Sequence, residues 1–478
     1  MSTNTATIDA FNGTRAASLR KWAALPVVLA GTFMVVLDFF IVNVAMPTMQ
    51  SDLHAGANAI QWVVAGYGLA FAAGLITGGR LGDQLGRRRM FTIGLALFVL
   101  TSAACGVAPT AVLLVAARVA QGAASALMMP QVLAILGVAY TGPDRIKALT
   151  AYTLTLGIAA VGGQLIGGAL IELDPAGLDW RACFLVNVPV GLAALALVAR
   201  TVPESKAPGA TRLDLVGADL VSAGLVAILL PLIEGRDHGW PLWTWASFLG
   251  AGVVLTAFGL YQRRVARRGG SPLVPPELFR ERAFSAGMAT VVLFFVTVAS
   301  FFLVLALELQ EGRHLDPLQS GLVFGFEGVG FLVTTLASAK LVARLGRQAL
   351  ALGAVVRAAA LIALYFAVHH VGAGGSVLWL AGPMLLDGAG IGLVMGPIIG
   401  IVLAGVAPHH AGAASGVLAT AQQVGNALGV AVIGVVYFGA LQAGHSVPEA
   451  FQTSLLWLAA GSVAVAALIQ ALPRGGAR

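Results

Sequence analysis

Charge is what this sequence has least of. Only 10% of its 478 residues are Asp, Glu, Lys or Arg, against about a quarter in a soluble globular chain. With 58% hydrophobic residues, the chain cannot clothe itself in a polar surface, which excludes a soluble globular protein. Cysteine is almost missing. Cys105 and Cys183 both fall in apolar runs, which argues against a disulfide framework or a metal site and leaves packing as their role. Also missing are a glycine-rich phosphate loop and a nucleophile elbow with partners, so neither an ATP-driven pump nor a hydrolase is supported. No enzyme chemistry, cofactor or metal is expected.

What the chain has in quantity is long apolar runs. About 20 helical residues cross a hydrocarbon core, and fourteen segments reach that length, from 22–46 to 450–471. The polar first 21 residues end in Arg20 and Lys21, and the apolar run after them exceeds the core of a cleaved signal peptide. It reads as a retained first helix. An even number of spans puts both termini on one side, and charge says which. With the N-terminus inside, 23 of the 28 Lys and Arg residues fall in cytoplasmic segments; only Arg181, Arg236 and Arg313 fall outside, and Arg118 and Arg357 lie within helices. That is the positive-inside pattern. The net charge of +7 is therefore an orientation signal, and no nucleic-acid partner is expected.

An internal repeat supports the layout. "GRLGDQLGRRRM" (Gly79 to Met90) follows helix 2, and "AKLVARLGRQAL" (Ala339 to Leu350) follows helix 10, 260 residues later. The chain then divides into a cytoplasmic segment 1–21, a six-helix half 22–200, an inserted helix pair 201–262, a Pro-rich cytoplasmic linker 263–282, a second half 283–471 and a tail 472–478. Repeated halves of this kind are a transporter signature, with the substrate site at their interface. The fold class expected is an all-α integral membrane protein of fourteen spans.

Against this background a few polar residues stand out. Asp38 sits inside "VVLDFFIVNVAMP" (Val35 to Pro47), where a carboxylate costs roughly 2.5–3.5 kcal/mol at a helix centre. Counting 1.5 Å per residue, Asp38 and Arg118 of helix 4 both lie roughly 10–12 Å below the outer surface, so they can pair. Burial and pairing pull the protonation of such a carboxylate in opposite senses. Asp38 is thus either a proton carrier or one end of a static ion pair. Glu327 in helix 10 and Asp387 in helix 12 fall near mid-bilayer, where acids are functional candidates by default; they would neutralise a cationic substrate or carry a second proton. Glu308, Glu234 and Glu172 lie nearer the outer helix ends and are read as facing water. His369, His370, His409 and His410 read as solvated loop histidines.

Several motifs together resemble the 14-helix drug:proton antiporters of the major facilitator superfamily, over nearly the whole chain. "LDFFIVNVAMP" is similar to the family's first-helix pattern, with Phe40 where threonine is usual. "QWVVAGYGL" (Gln61 to Leu69), the loop motif "GRLGDQLGRRR" (Gly79 to Arg89) and "RVAQG" (Arg118 to Gly122) follow in order. "GGQLIGG" (Gly162 to Gly168) stands where antiporters carry a G-P-x-x-G-G motif, with Gln164 in place of proline. "DWRACFLVNVPVG" and "AGAASGVLATAQQVGNALG" match the helix 6 and helix 13 patterns.

The resemblance implies a proton-coupled exporter of lipophilic, cationic drugs or antibiotics that works by alternating access, alone as a monomer, in the cytoplasmic membrane. Its partners would be protons, a small-molecule substrate and the bilayer. It implies proton coupling at Asp38 and Arg118. Glu327 and Asp387 stand where most relatives are expected to be apolar, and join them as proton-coupling candidates because they are intramembrane acids; the expected cavity is lined by Asp38, Tyr67, Glu327, Asp387 and Gln422. Gly79, Asp83, Gly86 and Arg87 would form a cytoplasmic gate, in which Asp83 either latches the halves by pairing with arginines or sits at a helix N-terminus, unless the loop is simply solvated. Gly163, Gln164, Gly167 and Gly168 would give helix 5 a small-residue face against helix 11, for coupling or for packing alone. Trp62 and Tyr67 belong either to an aromatic belt or to the drug pocket. Export of one endogenous metabolite or self-made antibiotic, an uptake symporter, and a sensor that moves nothing are the alternatives.

Overall fold

The computed structural model describes residues 3–206, 214–235, 238–372, 374–404 and 411–472, with side chains from Trp22 onward except at 142, 146, 339, 404, 411–413 and 415. His409, His410, Arg212, Arg236, Arg474 and Arg478 lie outside the described residues. Fourteen helices among those described are long and apolar enough to cross a membrane. They are α1 (Trp22–Asp52), α2 (Ala57–Leu85), α3 (Arg87–Gly106), α4 (Ala111–Ala139), α5 (Pro143–Leu173), α6 (Asp179–Thr201), α7 (Leu215–Glu234), α8 (Leu242–Arg267), α9 (Arg282–Gly312), α10 (Pro317–Ser338), α11 (Arg347–Val371), α12 (Leu378–Leu403), α13 (Gly416–Gln442) and α14 (Val447–Gln470). The protein is a multi-pass membrane protein. α1 begins and α14 ends on the same face, which also carries the basic turns and is called here the basic face.

Two expected helix ends move. α1 does not stop at residue 46 but passes through Pro47 to Asp52, because Trp180 and Arg181 hold the Asp52 carboxylate at 3.0 and 2.7 Å. α8 runs on to Arg267. Helix starts follow capping rules: Thr110 accepts from Leu113 N, Asp316 from Gln319 N, and Ser446 with Glu449 forms a capping box.

The internal repeat is visible as repeated packing. α1 packs on α5, α2 on α4, α3 on α4, and α6 on α1 and α3; α9 packs on α13, α10 on α12, α11 on α12, and α14 on α9 and α11. The repeated turn is shared too. Gly86 ends α2 with φ +117°, and Gly346 with φ +57° caps the helix that starts as α10 and runs on from Pro317 to Leu345, both in a region where a side chain would be strained.

The two sets of six helices meet along α2–α13 and α5–α10. Away from the basic face a single apolar core joins them, with Met46 and Trp180 in the same cluster as Leu307 and Phe451. Towards the basic face each set has largely its own core. α7 rests on α2 and α13, and α8 on α7. With Leu249 74% and Val253 70% exposed, α8 turns its apolar side outward, where lipid covers it.

Candidate functional site

Asp38 is fully buried midway along α1, and α4 and α6 supply its partners. Arg118 of α4 pairs with its Oδ2, while Gln121, one turn on, and Asn187 of α6 donate to its Oδ1 at 2.9 and 3.1 Å. The same two amides donate to Ser102 Oγ on α3, whose hydroxyl in turn donates a hydrogen bond to the Phe184 carbonyl. Arg118 also donates to the Val63 carbonyl of α2 and to Gln121 Oε1. Its guanidinium lies 4.1 Å over the ring of Tyr67, a cation–π contact in a dry site. The Tyr67 hydroxyl meets Ser125 Oγ at 2.9 Å. So Tyr67 sits in the buried charge cluster, not in an aromatic belt. Trp62 is half-buried, donates to Glu234 at 3.0 Å and ties α2 to α7.

The second half carries a different arrangement. Arg357 of α11 donates to Asp387 of α12 at 3.2 Å and to the hydroxyl and carbonyl of Thr297 on α9 at 2.7 and 3.0 Å. Glu327 of α10 is 3% exposed, and neither carboxylate oxygen has a partner among the described residues; one oxygen of Asp387 also lacks one. The α10 backbone at Glu327 abuts α12 at Gly388, and the charges of Glu327, Asp387 and Arg357 act on one another. Two acids therefore share one cation here, whereas Asp38 and Arg118 balance one to one.

Glu308 does not face water as expected. It lies fully buried in a π-helical turn, Glu308–Gly312, and takes Arg313 Nε at 3.2 Å. The same turn sends Gln310 to the Val44 carbonyl of α1 at 2.9 Å. Gln422 on α13 is half-buried and shares no hydrogen bond with either charged cluster among the described residues.

On the basic face, Asp83 pairs with Arg87 of its own turn, at 2.8 Å. The helix N-terminus that Asp83 could have filled belongs to Glu204, which accepts from Arg88 N and Arg89 N at 3.0 and 3.1 Å. The reach beyond the first six helices is made from Arg80, which donates to the carbonyls of Ser271 and Pro272 in the linker. Gly79 lies against Pro130, and Gly86 against Glu204.

In α5, Gly163 and Gly167 face α1 at Phe40 and Ile41, and Gly168 faces Pro317 and Leu318. The partner of α5 across the halves is thus α10, not α11. Gln164 donates to the Phe40 carbonyl at 3.1 Å, a use that proline could not provide.

Compared with known proteins, the chain matches the Major Facilitator Superfamily over residues 28–430. It belongs to that superfamily. It is 38% identical to a probable actinorhodin transporter of Streptomyces coelicolor, over 92% of this chain and 77% of that one. It is 39% identical to the puromycin resistance protein pur8 of Streptomyces alboniger, over 89% and 83%, and 37% identical to the cephamycin export protein CmcT of Amycolatopsis lactamdurans, over 86% and 84%. In fold it is similar to a crystal structure of the peptide transporter POT in complex with sulfate, with TM-score 0.66, 16% identity and 94% of both chains covered. At that identity the likeness is one of fold alone.

A major facilitator is a transporter and not an enzyme, and its charged residues are to be read in that light. Of the residues singled out from sequence, Asp38, Arg118 and Tyr67 come together in one cluster, and Glu327 and Asp387 in another. Gln121, Asn187 and Ser102 were missed around Asp38, and Arg357 and Thr297 around Asp387. A signal existed for some of them: Gln121 lies one turn from Arg118 in "RVAQG", and Asn187 lies within "DWRACFLVNVPVG". Ser102 and Thr297 carry none.

Proposed function

We propose that this major facilitator exports lipophilic, cationic drugs or antibiotics across the cytoplasmic membrane in exchange for protons, working as a monomer with both termini in the cytoplasm. The observation that carries this reading is the unequal charge count of the two buried clusters. Asp38 with Arg118 is neutral as an ion pair, and taking up a proton leaves it with one net positive charge. Glu327 and Asp387 around Arg357 leave one net negative charge, which a cationic substrate group or a proton can balance. Proton and cation then compete electrostatically through the low-dielectric interior, which is the antagonism an exchanger requires.

The two sets of six helices, 22–200 and 283–471, would rock about the α2–α13 and α5–α10 seams, with 201–262 riding outside. In the positive-inside orientation, the single core on the face away from the basic turns corresponds to closure towards the outside. Protonation of Asp38 releases Arg118 from α1 and loosens the pin between α1, α4 and α6. Substrate leaves outward and the proton leaves inward. The names of the relatives favour a second reading in the same class, export of one self-made antibiotic or other endogenous metabolite.

The test is transport in proteoliposomes with an imposed pH gradient, screening cationic, neutral and anionic compounds. Uphill efflux of cations driven by inward protons is the expected result. Proton-driven accumulation in the opposite direction would make the protein an uptake symporter, and no flux of any compound would leave a sensor.

A further inference from the structure

One cavity takes no part in the charge clusters. It lies on the basic face between the end of α8, the short 3-10 helix Pro276–Arg280 of the linker, and α13, with a volume of about 740 Å³. Phe258, Phe279 and Val417 provide apolar lining, and Arg263, Arg267 and Arg280 provide charge. A smaller depression of about 430 Å³ on the same helix end adds Arg264 and Arg268. All five guanidiniums are on exposed residues, and none has a hydrogen-bond or ion-pair partner among the described residues. The acid at the rim is Glu277, which is exposed.

The direction in which this cavity opens decides its ligand. Leu249, Val253 and Leu260 form an outward apolar stripe along α8, 74%, 70% and 60% exposed, and the stripe ends at the arginines. Such a stripe is lipid-covered, and the turn after it lies at headgroup depth. Guanidinium forks match phosphate oxygens, and the phenyl rings beneath give an acyl chain a place to lie.

We propose that this groove binds an anionic phospholipid, its phosphate held by Arg263, Arg267 and Arg280. The site bears on the rest of the molecule through Arg80 of α2, which grips the linker at Ser271 and Pro272. A bound lipid braces α8 and the linker against α2. The proposal uses only the membrane setting and the groove, and stands apart from the transport reading.

Native mass spectrometry of the full chain in detergent tests it, with phosphatidylglycerol, phosphatidylcholine and soluble glycerol phosphate as probes. Phosphatidylglycerol should be retained in preference to both others. Arg263→Gln/Arg267→Gln/Arg280→Gln should weaken retention by roughly fivefold per arginine removed, while Arg264→Gln/Arg268→Gln should change it much less. Arg280→Gln alone, in the linker, serves where the triple variant does not fold. Equal losses in the two multiple variants would reduce the site to general surface charge. Equal retention of phosphatidylcholine, or equally strong binding of glycerol phosphate, would overturn it as well.

Discussion

Asn187 donates its side-chain amide to the Oδ1 of Asp38 at 3.1 Å, from a helix that begins 127 residues beyond the end of α1. The bond leaves Arg118 to take the other carboxylate oxygen, so the acid is held from α1, α4 and α6 at once. Replacing Asn187 with Ala removes a hydrogen bond to a charged group, and should cost about 1.5–3 kcal/mol of stability. Thermal unfolding in detergent measures the loss, and Asn187→Gln should restore little because the amide is displaced by one methylene.

Asp38→Asn should leave a folded protein that no longer exports uphill and releases no proton on substrate binding. It removes a buried charge but leaves Arg118 uncompensated, so some stability is lost as well. Substrate-induced pH change in lightly buffered detergent solution is the direct check. A normal rate and pH dependence in the Asn variant would make Asp38 structural, and would place the proton on Glu327 or Asp387.

Why these two residues could be paired from sequence, and others could not, is a matter of signal strength. Apolar runs of twenty residues are unambiguous, which made the span count legible, and intramembrane charges are rare enough to be matched by depth. The end of α1 was misread because Thr48, Gln50, Ser51 and Asp52 look like a loop after Pro47. Their helical state depends on Trp180 and Arg181, which are distant in sequence. Amide and hydroxyl partners such as Gln121, Ser102 and Thr297 are common in apolar helices and point to nothing until the helices are packed. Glu308 looked solvated because it lies near a helix end, yet a π turn and Arg313 enclose it.

On the basic face, Glu204 should matter more for stability than Asp83. Asp83→Asn removes a partly exposed pair four residues apart, worth about 0.3–0.5 kcal/mol. Glu204→Gln removes the carboxylate at the α3 N-terminus, where capping contributes about 0.5–2 kcal/mol. If Asp83→Asn instead gives the larger drop in unfolding temperature, Asp83 has a partner in another conformation, as a latch between halves requires.

Asp214, just before α7, gives the molecule an acid sensitivity of known sign. Burial opposes its charge, but donation from Gln262, Gly217 N and Leu273 N outweighs that, and its carboxyl is held below the usual value. A lowered folded value means stabilisation that is present in full above the ordinary carboxylate range, and is lost as pH falls through the folded value. Hydrogen exchange in α7 and in the linker near Leu273 should therefore rise below about pH 4. Asp214→Asn should raise it already at neutral pH and flatten the dependence.

The second-half cluster offers the sharpest test of how a cation is chosen. Glu327, Asp387 and Arg357 carry one net negative charge when all are ionised, and Glu327 has no hydrogen-bond partner among the described residues. Glu327→Gln cancels that charge without breaking the Arg357–Asp387 pair, so it should fold normally and lose affinity for cationic compounds while sparing neutral ones. Asp387→Asn also lowers the charge but leaves Arg357 with weaker anchorage, and should cost stability in addition. Arg357→Gln leaves two buried acids with no cation, a loss of about 3–5 kcal/mol, unless one of them takes up a proton. The order of unfolding temperatures should thus be Glu327→Gln, then Asp387→Asn, then Arg357→Gln. Binding of a monovalent and a divalent cationic dye to the three variants should separate charge from fold. If Glu327→Gln binds both dyes as the unaltered protein does, Glu327 takes no part in recognising the cation, and the unequal charge count has to serve the proton alone.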